Sequence, residues 1–573
     1  MSGNDTRPIS AFGTQQEQHV DEAVGAIIFH GKNLDAELRM IMSQQKPQKQ
    51  DEVLTKPWDI VIVGTGAAAL TAALSAAEQE PKSSILLVEK APEEWAGGNG
   101  YFTAAAYRTR HDGLKDVLPL VSNVPDDLKD KIDLPAYPEE AFHADLQRVT
   151  DGRSSKELGD VVVKESLDVV RWLKEVGGVD WWLSFRRQAY QVEGRWQFWG
   201  GLCLTVKEGG KGLIANLLQA VRRKGCVMSF ESEAKKIEVD DNGATVGLQV
   251  AKGGQMYQVR TRHVILAAGG FEANPELRKK WMGPGWELAH TRGTPYNTGD
   301  MLQAAIVIGA RRVGDFSPTG CHSVAWDADS PKSGGDREKT NEFTKSGYPL
   351  GLMLNAEGSR FVDEGVDLRN YTYAKFGRAI LEQPQGIAFQ VWDREGQQWL
   401  RAEEYRDEIV RKVTADSIPE LARKLKLDEG LQHPGEFVQT INEYNSAVAA
   451  YRIEHPDAKL NPAIKDGLST QSAAVRLGLP KSNWAVPVNQ PPFLAVKVTC
   501  GITFTFGGLA INPENAAVLR EDGSEIRGLH CVGEMVGGLF YSNYPGGSGL
   551  TAGGVFGRRA GRAAAASVQN TTS

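Results

Sequence analysis

Residues 59–63 are a short apolar run, and Gly64-Thr65-Gly66-Ala67-Ala68-Ala69 follows it directly. This G-x-G-x-x-A turn constrains the fold more than any other segment. The first glycine permits a tight strand-to-helix turn, and the second lets the backbone approach a pyrophosphate. Ala69 in the third place still allows close packing of helix on strand. The small residues of 67–79 read as the helix, whose free N–H groups and positive dipole end face the phosphates. Residues 85–88 are the next apolar run and lead into Glu89 and Lys90. A carboxylate at the end of this second strand accepts from ribose hydroxyls and repels a 2′-phosphate. The pattern predicts a dinucleotide site of the NAD or FAD kind, not one for NADP.

Alternation of strand and helix continues, with helical patterns over 156–176 and 212–224 and a buried strand over 264–267 that ends in Ala268-Gly269-Gly270. This predicts an α/β fold with a parallel sheet, a Rossmann-like domain. From about 316 to 492 the texture is richer in proline and charge, with a helical pattern over 437–452. It reads as an inserted α+β capping domain for substrate. The expected organisation is a polar extension over 1–55, a cofactor domain over 56–315, the insertion over 316–492, and completion of the first domain over 493–573 with a helix at 560–566. The extension carries an amphipathic stretch within 18–44, and 43–56 reads as a linker.

Composition narrows the function classes. A net charge of −7 argues against a nucleic-acid partner. No apolar run reaches the roughly 20 residues of a membrane helix, and the N-terminal stretch has no signal-peptide pattern. The five cysteines are scattered without C-x-x-C. That excludes a recognisable iron–sulfur or c-haem module and points to buried thiols in a reducing, cytoplasmic setting. No metal site is expected.

Further glycine-rich segments recur in a fixed order. Gly97-Gly98-Asn99 follows the second strand, Gly299-Asp300 follows Asn297-Thr298, and Gly533-Glu534 opens the loop that ends at Gly549-Leu550-Thr551. This series resembles the flavoproteins of the fumarate reductase/succinate dehydrogenase family over about 58–562. The resemblance implies FAD. It places Gly97, Gly98 and Asn99 along the pyrophosphate and isoalloxazine, and Ala268, Gly269, Gly270 and Asp300 in the cofactor site. Glu534 would lie at the ribityl chain. Gly549, Leu550 and Thr551 would aim N–H groups at the pyrimidine edge, where negative charge grows on reduction. Residues 100–110 contain no histidine, so the FAD is expected to be non-covalent, and His111 lies too far along.

On the substrate side, Leu354 to Glu364 resembles the family's N-x-x-G-x-R-F-x-x-E segment next to the active site, and Cys321-His322 resembles its substrate-side histidine. Three positions depart. The reductase arginine falls on Leu368, with Arg369 one residue further. The substrate histidine is Phe504, and the substrate arginine of the last loop is Tyr544. The acid and arginine that relay protons have no match over 342–351. The segments Arg292 to Asn297 and Gly538 to Gly549 are most similar to the tricarballylate dehydrogenase branch. That branch oxidises a CH–CH bond of a carboxylic acid and passes its electrons to a separate carrier.

Arg292, His322, Arg369 and Tyr544 are therefore the candidate catalytic residues. They would stabilise enolate charge while a proton leaves one carbon and a hydride the other. The proton acceptor is Tyr544, Arg369 or His322, a choice the residues leave open. The expected reaction is FAD-dependent CH–CH oxidation, or its reverse, next to a carboxylate or ketone. Tyr544-Pro545-Gly546 also resembles 3-ketosteroid dehydrogenases, so ketosteroid or enone and fumarate-type chemistry is the first alternative. A flavin-bound electron-relay subunit is the second. The electron partner is unknown.

Overall fold

A computed structural model describes residues 50–572 except residue 340. The amphipathic stretch within 18–44 lies outside the described residues. Gln50–Thr55, read as linker, is a short helix with Leu54 fully buried. Leu54–Ser573 form one compact unit.

The first sheet has six strands in the order Ala517–Leu519, Glu525–Cys531, His263–Leu266, Ile60–Val63, Ile85–Val88, Val227–Ser229. All neighbours are parallel except the edge strand Ala517–Leu519. Ile60, Val61 and Ile62 have no exposure at all. Helices Ala67–Gln79 and Ser548–Thr572 and the strand Thr245–Lys252 pack on this sheet, so its buried central strand is apolar without alternation. Its register sets Val63 beside both Val88 and Leu266. The turns that follow these strands, carrying Gly64, Glu89 and Ala267, therefore open side by side at the carboxyl edge, where ligands bind in open α/β sheets.

The helix predicted over 67–79 is Ala67–Gln79, and ten of its residues are buried. Its small side chains serve a second helix, Ser548–Thr572. A Cβ on Gly557 would stand 2.9 Å from the Ala68 carbonyl oxygen, and one on Gly561 would stand 2.3 Å from that of Ala72. Glycines four apart put bare backbone on one face, so the two helices approach more closely than side chains allow. The helix expected over 560–566 is thus a much longer element, because its first turns already pack beneath the cofactor turn.

The second sheet is built on Phe493–Thr505, which pairs with His290–Thr291, Cys321–Asp327, Ala388–Trp392 and Lys412–Ala415. Helices Ile418–Asp428 and Pro434–Glu454 cover it through Leu421, Leu425, Phe437 and Ile441 against Leu352, Phe389 and Val391. The long strand runs out of this core into the cleft between the sheets. Opposite it, His322 is in register with Phe504.

Candidate active site

One continuous cleft runs from the glycine turn to the second sheet. At its first end, Gly64 has φ +107°, and a Cβ there would meet the Ala267 carbonyl oxygen at 2.5 Å. Gly66 and Gly98 line the cleft, and an added Cβ would stand at ordinary contact distance, 3.8 Å from Gly97 O at the first and 3.7 Å from Gly66 Cα at the second. Bare backbone at both positions lets a pyrophosphate approach the turn closely. Gly64, Gly66, Ala67, Ala68, Glu89, Lys90, Gly98, Asn99, Ala268, Gly269, Asp300, Glu534, Gly549 and Leu550 all line this cleft.

Four other expected cofactor residues stand behind its wall. Ala69 is fully buried in the helix, and Gly97 has φ +110° with Ile214 where a Cβ would go. Gly270 leaves room for Glu534 and Thr505. The Thr551 N–H donates to the Gly547 carbonyl oxygen at 3.4 Å, and its hydroxyl donates to Arg108 O at 2.7 Å. Thr551 therefore has no N–H to aim at a flavin edge. Gly549 and Leu550, in the first helical turn, lack intrahelical acceptors and keep theirs.

Polar groups order this end of the cleft. Glu89 Oε2 accepts from the Thr65 N–H at 2.9 Å and its hydroxyl at 2.7 Å, and Oε1 accepts from Ala91 N at 2.9 Å. Asp300 accepts from Lys90 Nζ at 2.5 Å and from the Thr298 hydroxyl at 2.6 Å. Deeper in, Asn99 Nδ2 donates to Glu272 Oε1 at 2.6 Å and to Thr503 O at 2.7 Å, while its Oδ1 accepts from Thr294 N at 2.8 Å. Glu534 Oε1 accepts from the Thr505 N–H and hydroxyl at 2.7 and 2.9 Å. Burial raises the carboxyls of both Glu272 and Glu534, and the neighbouring Glu534 charge raises Glu272 further. Glu272 directly follows Gly269-Gly270-Phe271 and was not singled out in the sequence, although its place after that glycine pair was the available signal.

At the far end the Tyr544 and Tyr373 hydroxyls are 2.7 Å apart. Two loops bring them together. Asn543 Nδ2 donates to Tyr371 O at 2.7 Å, Gly546 N donates to Asn370 O at 2.9 Å, and the buried Arg108 donates to Gly546 O at 2.9 Å. Phe504, Phe506 and Phe540 surround Tyr544 with ring centroids 5.4 to 6.1 Å away. The His322 ring lies 4.7 Å from that of Tyr373 and 5.1 Å from that of Tyr544. Its Nε2 is buried without a hydrogen-bond partner among the described residues. Burial, then the Arg292 charge, drives its pKa well below the ordinary value, so the imidazole is neutral.

Arg292 is also buried and donates from Nε to Asn341 Oδ1 at 3.1 Å. Among the described residues no carboxylate pairs with it. Burial raises the Tyr544 phenol well above its ordinary value, with a further rise from Tyr373 and an opposing pull from Arg292.

Arg369 lines the same cleft, its guanidinium donating to Arg187 O and facing the Trp199 ring at 5.5 Å. The four candidate catalytic residues thus share one cleft. Tyr373, Asn341, Arg187 and Arg401 join them there, and none of these carried a local motif. The segment Leu354 to Glu364 does not line it among the described residues. Arg360 donates from Nε to Glu364 Oε1 at 3.1 Å, and Glu364 accepts from Met353 N at 2.9 Å. That clamp braces the second sheet, and the residues reaching the cleft come just after it. His111 is turned away too, its Nδ1 accepting from Gly113 N at 3.1 Å.

No group of His, Cys, Asp or Glu among the described residues is placed to hold a metal ion. No described helix is long and apolar enough to cross a membrane.

A family model described as an FAD binding domain matches residues 59–550. The probable fumarate reductase Ifc3 of Shewanella frigidimarina is 26% identical over 88% of this chain and 74% of its own length. The 4-oxocyclohexanecarboxylate 2-dehydrogenase of Sinomonas cyclohexanicum is 26% identical over 87% of this chain and 90% of its own. Against some other curated relatives the chain spans only about half the length, 53% and 50%. Among solved structures, 3-ketosteroid delta1-dehydrogenase from Sterolibacterium denitrificans superposes with a TM-score of 0.66 at 18% identity, covering 90% of this chain and 100% of that one.

Proposed function

The chain belongs to the FAD binding domain family of flavoproteins, and from that premise we propose that it interconverts a CH–CH and a C=C bond next to a carbonyl group, with Tyr544 handling the proton. It is an FAD-dependent oxidoreductase. The glycine turn, with the bare backbones of Gly66 and Gly98 lining the cleft, fits the cofactor's pyrophosphate. FAD, when bound, accepts or supplies the hydride. The region over 316–492 would act as the substrate cap, and the protein would be cytoplasmic, in keeping with five buried free thiols.

The observation that carries the reading is the Tyr544–Tyr373 hydroxyl pair beside the unpartnered His322 Nε2 and an Arg292 that donates to Asn341 but has no carboxylate partner among the described residues. A carbonyl oxygen seated against Arg292 and the His322 side gains stabilisation as it takes on enolate charge. In the reductive direction the Tyr544 hydroxyl gives its proton to the carbon adjacent to the carbonyl; in the oxidative direction the Tyr544 phenolate, its own proton first released to solvent, takes that proton. Burial and Tyr373 favour the protonated phenol, and the Arg292 charge lowers the cost of the phenolate that oxidation requires. Arg369 is not needed as the proton carrier, because its donors are turned to the Arg187 carbonyl and Ser346.

The aromatic wall around Tyr544 supports a ketone on a ring or similar apolar frame, the substrate type in the names of two of the similar proteins. A tricarballylate-like polyacid is the second reading, supported by the surplus of guanidinium groups in the cleft. Anaerobic bleaching of the flavin band with tricarballylate, succinate, 4-oxocyclohexanecarboxylate and a 3-ketosteroid separates them. A ketone should bleach it, and Tyr544→Phe should retain FAD yet slow bleaching by about 10²- to 10⁴-fold. Wild-type rates in that variant would remove Tyr544 from the mechanism.

A further inference from the structure

Beyond the tyrosine pair, the same cleft holds a second cationic group. Arg187, Arg369 and Arg401 all line it. They come from three separate parts of the chain and meet at one point. Arg369 and Arg401 both donate to the Arg187 carbonyl oxygen, Arg401 at 2.6 Å. Arg401 Nη1 also donates to Ser346 Oγ at 3.1 Å and to Glu404 Oε1 at 3.2 Å.

The available counter-charge falls short. Glu404, with no exposure, pairs with Arg187 at 3.3 Å and with Arg401 at 3.2 Å. Glu403 reaches Arg187 Nε at 3.6 Å. Arg369 has no carboxylate partner among the described residues. Three positive charges therefore face two negative ones at the wall of a cleft. Guanidinium groups are weakly hydrated and present forked donors that match a carboxylate. A purely structural ion-pair network needs neither the uncompensated Arg369 nor an opening into the cavity.

We propose that Arg187, Arg369 and Arg401 form a second subsite that takes a carboxylate of the substrate remote from the reacting carbons, so that the substrate is a carbonyl compound that also carries an acid group. The proposal rests on the reading that the Arg292, His322 and Tyr544 end takes the carbonyl. Glu404 holds two of the arginines in place, and the excess charge on Arg369 is met by the ligand. The division also accounts for the two carboxylate-free guanidiniums, Arg292 and Arg369, in one cleft.

The test uses the full-length FAD-loaded protein and two probes: 4-oxocyclohexanecarboxylate and its methyl ester, the same ketone without the charge. Perturbation of the flavin absorbance reports binding, and anaerobic bleaching reports chemistry. The acid should bind more tightly than the ester. Arg369→Gln and Arg401→Gln should each weaken acid binding by about 10- to 100-fold, the loss of one charge-assisted hydrogen bond, and leave the ester unchanged. Arg401→Lys should fall between. Arg369→Gln keeps both partners of Glu404, so it guards against misfolding, and FAD content checks each variant. Equal binding of acid and ester, equal losses on both, or no binding of the acid overturns the subsite. Bleaching by both probes without discrimination sinks the subsite and leaves the proposed reaction standing. Arginine-dependent binding of the acid without bleaching does the reverse.

Discussion

Tyr544, the proton carrier of the proposed reaction, is a buried phenol held in its protonated form by burial and by Tyr373, with the Arg292 charge opposing them. The Tyr373 hydroxyl lies 2.7 Å from that of Tyr544, and the Arg292 charge acts on both rings. Phe504 takes the register place opposite His322, so the wall there is apolar where the sequence family puts a histidine. In the proposed reaction a tyrosine pair stands where the resemblance puts carboxylate-binding side chains. At the same scale the flavin linkage is predictable. His111 has its Nδ1 committed to Gly113 and its ring beside Cys203 at 3.7 Å, and His322 is the one histidine lining the cleft among the described residues. Acid precipitation should therefore leave all yellow colour in the supernatant. Flavin in the pellet would show a covalent bond.

The cofactor turn is held from below by the seam between Ala67–Gln79 and Ser548–Thr572. Gly561 is its tightest point: an added Cβ would stand 2.3 Å from the Ala72 carbonyl oxygen, 2.8 Å from Ser75 Cβ and 2.9 Å from Ala76 N. Helix propensity alone favours alanine over glycine by about 1 kcal/mol. Here the contacts are mostly backbone and cannot give way. Gly561→Ala should therefore destabilise by about 1–3 kcal/mol, the usual cost of overpacking, visible as a lower urea midpoint. A raised midpoint would mean that the helices can separate without loss.

For the whole molecule, burial decides how it meets acid. Desolvation pushes His111, His290 and His530 down to about 4, and His322 well below its ordinary value. In the unfolded chain these imidazoles take up protons near pH 6.5. Their folded pKa values are depressed, so the unfolded state binds more protons as pH falls. Their contribution to stability is complete above about pH 6.5 and is lost from there down to about pH 4. Denaturant midpoints measured from pH 7.5 to 4.5 should fall, and His530→Asn should flatten part of that slope. A midpoint independent of pH across this window would contradict neutral burial.

Local order was legible because its causes are local. The apolar runs, the G-x-G-x-x-A turn and the small-residue helix sit next to one another in the chain, and periodicity and glycine placement are enough to read them. Ala67–Gln79 and Ile85–Val88 fall where the pattern places them. The glycine-marked loops were legible by their order, although Ala69, Gly97, Gly270 and Thr551 turned out to support the wall. The active-site constellation was only partly legible. Tyr544, His322, Arg292 and Arg369 carried marks, but Tyr373, Arg187, Arg401 and Glu272 had none strong enough to single them out. Their roles come from meetings between residues up to a few hundred positions apart, such as Tyr373 with Tyr544. Sequence by itself determined the cofactor turn, because backbone conformation is set by neighbours in the chain. Only the tertiary structure decided which charges go unpaired and which hydroxyls touch, because burial and counter-charge depend on what packs across the cleft.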